Sequence, residues 1–305
     1  MTGMYQNPAI RLATTSFDPM RITAVTHQLM GHPLLELDNL LALARRLEPR
    51  GMVRRHNADA QPSTDFTTAP ETLPTKHDVA GTLENIESAE AWMALHNIQE
   101  DAVYQKLVDE VLDYVRPMVE AKDPGMCHRA GWIFITSPGA VTPYHMDHEH
   151  NFILQVRGKK TLHVFDPLDR SIVTERSLEL FHAKHSRELV RYKEEFEKTA
   201  SVFELEPGMG GYMPTTAPHW VKNGDGVSLT VSFTYYTRAT LRRKLLHKGN
   251  FFLRGLGVEP TPVGQSGLRD AAKAAAFQAH LSGKDWLRSL RGARPPSLLG
   301  RYAVI

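Results

Sequence analysis

The sequence predicts a mainly β domain, an antiparallel barrel or sandwich, with helical regions before and after it. Three observations carry this. Short β-rich runs with turn residues between them recur from residue 132 to 236. A leucine-rich stretch at helical spacing precedes them, and an Ala- and Leu-rich stretch follows them. No internal repeat appears at solenoid or propeller periods.

The elements follow in order. Residues 1–20 read as an irregular arm. From Pro33 to Arg46, leucines at 34, 37, 40, 41 and 47 suit an amphipathic helix. Residues 51–80, with Pro62, Pro70 and Pro74 among many Thr and Asp, read as loop. A second helix is expected over roughly 87–119, carrying Trp92, Leu95, Ile98, Val103, Leu107, Val111 and Val115. It breaks around Pro117 and is over by Asp123-Pro124-Gly125. Strands are expected at 132–136, 151–156 and 161–165, with a turn at Arg157-Gly158-Lys159. Residues 176–200 are charged and helix-like, an excursion between strands. Strands resume at 201–205, 212–213 and 227–236. The tail from Leu268 to Leu290 is expected to be helical, ended by Pro295-Pro296, with irregular residues after it. The resulting plan is an N-terminal arm and helical region at 1–125 packing on the core, a β-core at 126–240 with the helical insertion 176–200, and a C-terminal helical region at 241–305.

Composition narrows the function classes. With 42% hydrophobic and 23% charged residues, the chain reads as soluble and globular. A net charge of +2 gives no sign of nucleic acid or an anionic membrane as partner. The lone Cys127 excludes an intramolecular disulfide framework and fits a reducing compartment. The first 30 residues hold no apolar core behind a basic start, so no signal peptide is expected, and the cytoplasm is the expected location. No apolar run approaches the roughly 20 residues of a membrane span.

The chemistry concentrates in 142-TPYHMDHEHNFILQVRGKK-160, where three histidines and two acids occupy His145 to His150. His145 and Asp147 are two apart, so on a strand both side chains would point the same way. A second strand must supply a third ligand, and His219, just before the expected strand 227–236, is the best candidate. Two histidines and one carboxylate leave three octahedral positions open, which suits non-haem Fe(II) oxygenases. The pattern is weak alone, since most His-x-Asp pairs are surface accidents and zinc takes the same ligands. His148 and His150 have the opposite parity and are expected to face outward or sit in a turn. Glu149 shares the ligands' parity. Lys160 begins a run, Lys160, Leu162, Val164, on one face. Buried there, it would need an anion; as a solvated turn lysine, like Arg157 and Lys159, it would need none. Ser228, Thr230, Ser232 and Thr234 share one face of the last strand, which would suit a wet pocket inside a barrel. Tyr144, Tyr212, Trp132 and Trp220 are expected to pack in the core.

Together these residues resemble a known family. Thr142, Pro143, His145, Asp147, Asn151, Phe152, Gln155, Val156, Gly158 and Lys160 form one motif without a gap. Pro207, Gly208, Tyr212, Pro214 and His219 form a second. In both, the chain is similar to the JmjC-type, cupin-like oxygenases that use Fe(II) and 2-oxoglutarate, and in motif most of all to the asparaginyl hydroxylase branch called factor inhibiting HIF. The resemblance spans residues 132 to 236. It implies a double-stranded β-helix (jelly-roll) core and an oxygenase that consumes dioxygen and 2-oxoglutarate to give succinate and CO2. It implies His145, Asp147 and His219 as iron ligands, Lys160 and Thr142 on the distal carboxylate of 2-oxoglutarate, and Asn151 near its chelating end. The substrate class it implies is broad, a protein side chain or a small molecule, by hydroxylation or demethylation. Pairing of two copies through the C-terminal helix occurs in some relatives. Two positions depart from the pattern. Met209 replaces an acidic residue, and Ser232 stands where the relative carries an asparagine near the co-substrate. The rival readings are a cupin-type metal protein without 2-oxoglutarate turnover, either a zinc enzyme or a ligand-sensing regulator, and a structural β-domain with the three residues far apart.

Overall fold

Two antiparallel sheets, facing each other across a narrow interior, frame the chain in a computed structural model that describes residues 9–290, with side chains through 284. The strands are β1 (Arg11–Leu12), β2 (Thr23–Thr26), β3 (Val53–Asn57), β4 (Ala91–His96), β5 (Cys127–Thr136), β6 (Val141–His145), β7 (His150–Arg157), β8 (Lys160–Val164), β9 (Ser201–Leu205), β10 (Met209–Met213), β11 (His219–Asn223) and β12 (Ser228–Tyr236). The helices are α1 (Leu37–Leu47), α2 (Ala69–Thr72), α3 (Val79–Glu84), α4 (Ala102–Glu120), α5 (Glu175–Lys184), α6 (Arg238–Gly255) and α7 (Gly267–Leu290). The major sheet has the order β1-β2-β10-β7-β12-β5-β4-β3 and the minor sheet β6-β11-β8-β9. This is the expected mainly β core of jelly-roll type with flanking helices.

Alternation sorts the side chains. On β12, Leu229, Val231, Phe233 and Tyr235 enter a large apolar cluster with Phe152, Leu154, Ile133 and Ile135, covered by α1, α3 and α4. The opposite face of the major sheet looks at the minor sheet. There Ile153 and Met213 meet Leu162, Val164, Leu205 and Val221. The polar residues Ser228, Thr230, Ser232 and Thr234 therefore lie on the inner side of the barrel, all buried.

The helices have local causes. In α1, Leu40, Leu43, Ala44 and Leu47 recur on one face and are buried. The chain leaves that helix through a 3-10 turn containing Pro49 and the left-handed Gly51 (φ 67°). In α4, the Asp101 carboxylate accepts from the Val103 and Tyr104 amides at 3.1 and 3.4 Å, the N-cap arrangement.

Four expectations need correction. The helix expected from 87 begins only at Ala102, because Ala91–His96 is β4. That strand is buried along both faces, so it shows no alternation, and Trp92, Leu95 and Ile98 imitate helical spacing. Left-handed Glu90 (φ 49°) and Asn97 (φ 55°) bracket it. Pro117 does not end α4, which runs three residues further. The arm and the 51–80 loop each donate strands: β1 pairs with β2, and β3 pairs with β4, so the N-terminal region extends the sheet as well as covering it with helices. The 176–200 insertion is helical only as α5 and as a 3-10 stretch, Glu194–Thr199. Its polar middle has no apolar stripe to bury. The C-terminal helical region expected at 241–305 begins with α6, at Arg238. Residues 295–296 lie outside the described part.

The chain divides into two compact units, one of residues up to Ile172 with Val190–Arg238, the other of Val173–Leu189 with the chain from Ala239 on. The first holds both sheets. The second holds α5, most of α6 and α7. Inside it, fully buried Glu179 receives Arg254 Nε at 2.9 Å and Nη2 at 3.0 Å, a two-pronged ion pair that links α5 to α6. Among the described residues, no helix is long and apolar enough to cross a membrane.

Gln155 ties the first unit together. Its amide donates to Arg157 O at 2.7 Å, Gly158 O at 3.1 Å and Ser228 Oγ at 2.9 Å, and its Oε1 accepts from Thr230 at 2.8 Å. It thereby closes the turn that launches Lys160, where a Cβ on Gly158 (φ 73°) would meet Val227 O at 2.3 Å. Gln155→Ala is expected to destabilise the chain by about 2–3 kcal/mol, since it orphans buried carbonyls and opens a void. Urea unfolding followed by circular dichroism checks this; a loss under about 0.5 kcal/mol would mean that the turn holds without it.

Candidate metal and anion site

The minor sheet sets three rows across its inner face. His219 stands opposite His145 on one side and Val164 on the other. Two residues on, Val221 stands between Thr142 and Leu162, and two further on, Asn223 faces Lys160. Four residues of extended strand cover about 13 Å.

His145, Asp147 and His219 come together. Their ligand atoms lie within 4.8 Å of one another, and Asp147 Oδ2 is 3.8 Å from both His145 Nε2 and His219 Nε2. β6 ends at His145, and Asp147 lies in the connection to β7. A register shift in the pairing of β6 with β11 lets Thr142 and His145, an odd number apart, both stand opposite inner-face residues of β11. The connection carrying Asp147 is pinned from across the site. Thr216 N donates to Asp147 O at 2.9 Å, and Thr215 Oγ1 donates to His148 O at 2.8 Å. Thr216 adopts φ 59°, a conformation that a β-branched residue rarely takes, three residues before His219.

Both imidazoles are preset. His145 Nδ1 lies 2.8 Å from Pro143 O, and His219 Nδ1 lies 3.0 Å from Ala217 O. A carbonyl can only accept, so each ring carries a hydrogen on Nδ1 and turns Nε2 toward Asp147. Phe66 stacks on His145 at 3.9 Å with 7° between the planes. It comes from the loop between β3 and α2. That loop also accepts Tyr144 N at Pro62 O, 3.0 Å, on the edge strand β6. Arg54 lies over the other face of Phe66 at 4.3 Å.

The anion side is equally specific. Lys160 is 3% exposed, and its ammonium stands 5.9 Å from the Phe134 ring. Burial alone pulls its pKa down to about 7; no carboxylate faces it among the described residues. Thr142 Oγ1 accepts from the Trp92 indole at 2.7 Å, which leaves the hydroxyl hydrogen to give away. Asn151 and Ser232 are buried, and Asn151 Oδ1 and Ser232 Oγ have no hydrogen-bond partner. A buried cation with no counter-charge and the unanswered Ser232 hydroxyl on the same inner surface fit a bound acid, whereas Asn151 Oδ1 can only accept. Lys160 is therefore not a solvated turn lysine.

Some residues of the motif do other work. His150 does not face outward: it is 1% exposed, with Nδ1 2.8 Å from the Tyr212 hydroxyl and its ring stacked on Tyr235. His148 is buried too. Glu149 accepts from the Tyr236 hydroxyl at 2.8 Å. Tyr144 and Trp220 pack outside the minor sheet, Tyr212 in the main core, and Trp132 against Phe134 and His96. Trp92 and Phe66 are the site neighbours that sequence reasoning misses, one assigned to a helix and the other to an unstructured loop. The two motifs do not reach them, and only the pairing of β4 beside β5 signals Trp92.

A double-stranded β-helix whose inner face carries a His-Asp-His cluster and a buried lysine is a cupin-type architecture. The chain belongs to the cupin-like domain family, whose model matches residues 45–240. The fold is similar to that of YcfD, a ribosomal oxygenase from Escherichia coli. Against its complex with cobalt and 2-oxoglutarate, the identity is 15% and the TM-score 0.50, over 90% of this chain and 68% of that one. Another YcfD structure aligns at 14% identity and TM-score 0.44, and the chain spans 63% of its length against 86% of its own. Oxalate decarboxylase from Bacillus subtilis aligns at 17% identity and TM-score 0.23, over 43% of this chain and 28% of that one. No curated protein sequence matches the chain.

The sign of the Lys160 shift gives a test. Below pH about 7 the folded and unfolded chains both carry the proton; from about 7 to 10.5 only the unfolded chain does, so stability rises with pH across that window. An acid bound at Lys160 reverses this by holding the proton on the folded state. Binding of a dicarboxylate at pH 8 is therefore expected to take up close to one proton and to weaken as pH rises further. Calorimetry in two buffers of different ionisation heat reads the uptake. Equal uptake in wild type and Lys160→Ala would remove Lys160 as the partner.

Proposed function

We propose that the protein is an Fe(II)- and 2-oxoglutarate-dependent oxygenase that hydroxylates a C–H bond of a protein side chain or a small molecule. The observation that carries this is Lys160, a buried and uncompensated ammonium on the same inner face as the His145–Asp147–His219 cluster. A zinc hydrolase or a plain metal cupin has no use for such a cation. The likeness in fold to an oxygenase solved with cobalt and 2-oxoglutarate supports the same reading.

In this account, His145, Asp147 and His219 hold the metal through two Nε2 atoms and one carboxylate oxygen, and leave one side of it open. Iron(II), when bound, supplies oxygen activation, coupling conversion of 2-oxoglutarate and O2 to succinate and CO2 with insertion of one oxygen atom into the substrate C–H. The remaining work belongs to the chain. The Pro143 and Ala217 carbonyls hold the Nδ1 side of each imidazole and aim Nε2 inward. Lys160 and the Thr142 hydroxyl bind the far carboxylate of 2-oxoglutarate. Asn151 and Ser232 offer hydrogen bonds nearer its chelating end. Ile153, Leu162, Val164 and Val221 line the interior and exclude water, which strengthens each charged contact. Phe66 covers one face of His145, so the β3–α2 loop forms a wall where a substrate would enter.

Anaerobic reconstitution with Fe(II), then 2-oxoglutarate, tests the proposal. A weak visible charge-transfer band is expected. It should vanish in His145→Ala and need at least about tenfold more 2-oxoglutarate in Lys160→Ala, the loss of one charge-assisted contact. Admission of air should yield succinate. Failure to develop the band, with zinc retained in place of iron, would overturn the reading in favour of a cupin without 2-oxoglutarate turnover.

A further inference from the structure

We propose that Trp92 is a positioning residue for the acidic co-substrate. It presents the Thr142 hydroxyl hydrogen to the far carboxylate and so sets the affinity for 2-oxoglutarate. The inference rests on the proposed function, in which Thr142 and Lys160 anchor that carboxylate, and extends it to a residue outside both motifs.

The geometry runs from sheet to sheet. Trp92 lies on β4 of the major sheet and Thr142 on β6 of the minor sheet, fifty residues apart, and their side chains meet through the indole N–H at 2.7 Å from Oγ1. Trp92 is 1% exposed and Thr142 8%. An indole can only donate, so the hydroxyl must accept here. That fixes the rotor, and the hydroxyl's own hydrogen points elsewhere. Among the described residues nothing takes it. A bare threonine hydroxyl in a pocket could instead turn to a backbone carbonyl and meet an incoming carboxylate with a lone pair. Indole donation leaves its hydrogen for the ligand.

Trp92 is itself held in place. The His56 ring stacks on it at 4.6 Å and 12°. His56 Nδ1 donates to Asn57 O at 2.8 Å, and burial lowers the ring's pKa to about 4, so the stacked ring is neutral at ordinary pH. On the inner face Trp92 packs against Ala94 and Ala140 and tilts against Phe134, with centroids 5.7 Å apart. Phe134 is also the ring over which Lys160 lies. Thr142 and Lys160 are thus joined by one aromatic wall, Trp92–Phe134, although they stand on different strands. In such a dry wall a correctly turned donor is worth more than in water, and a misturned one costs more.

The test is a binding cycle on the cobalt-loaded protein, with 2-oxoglutarate as the ligand and calorimetry as the readout. Trp92→Phe keeps an aromatic wall and removes the N–H. It is expected to weaken 2-oxoglutarate binding roughly five- to tenfold, the worth of one hydrogen bond. Cobalt affinity should not change, since no ligand is touched. Thr142→Val should weaken 2-oxoglutarate by at least as much, and the double variant should be no weaker than Thr142→Val alone, because Trp92 acts through Thr142. Thr142→Ser, which keeps the hydroxyl, should restore the dependence on Trp92. If Trp92→Phe fails to fold, replacing Trp92 with its benzothienyl analogue keeps the shape and removes only the donor. Unchanged affinity in the Trp92 variants, or losses that multiply in the double variant, would overturn the positioning role while the oxygenase reading stands. No 2-oxoglutarate binding to wild type would overturn both.

Discussion

The site depends on one register, that of β11 against its neighbours in the minor sheet. His219 opposite His145, Val221 opposite Thr142 and Asn223 opposite Lys160 are consequences of a single alignment. A slip of one residue would turn His219 out of the barrel and Trp220 into it, because side chains alternate. The alignment is secured from both sides. Outside, Trp220 stacks on His163 at 4.0 Å, and both side chains reach Glu197. Inside, Val221 packs with Leu162, Val164 and Ile153. At the end of β11, Asn223 donates to Thr136 Oγ1 at 2.6 Å and Ser137 O at 2.7 Å, which moors the minor sheet to the major one.

Polar atoms inside an apolar barrel are costly unless answered, and the protein answers most of them. Gln155, Ser228 and Thr230 satisfy one another and the turn beneath them. Those left unanswered, Asn151 Oδ1 and Ser232 Oγ, share the inner surface with the uncompensated charge of Lys160.

The sequence made much of the β-core legible because turn residues separate short runs, though not β6 or β11, and it singled out His145, Asp147 and His219 because two motifs bracket the insertion. What it concealed has physical causes. Ala91–His96 is buried on both faces, so its pattern has no period to read, and Trp92 falls at helical spacing. Asp147 sits beyond the end of β6, where parity no longer applies; the backbone bond from Thr216, sixty-nine residues later, holds it. His150 looked like an outward residue by parity, yet Tyr212 and Tyr235 enclose it in the core. Long-range pairing decides each of these, and a single sequence carries no record of it.

The central claim is that three side chains from β6, the connection after it and β11 hold one divalent ion. A crystal grown anaerobically with Mn(II) and measured for anomalous scattering tests it most directly. One peak within about 2.0–2.2 Å of His145 Nε2, an Asp147 carboxylate oxygen and His219 Nε2 is the predicted result. A peak elsewhere, or a wild-type crystal without one at saturating metal, would contradict the account.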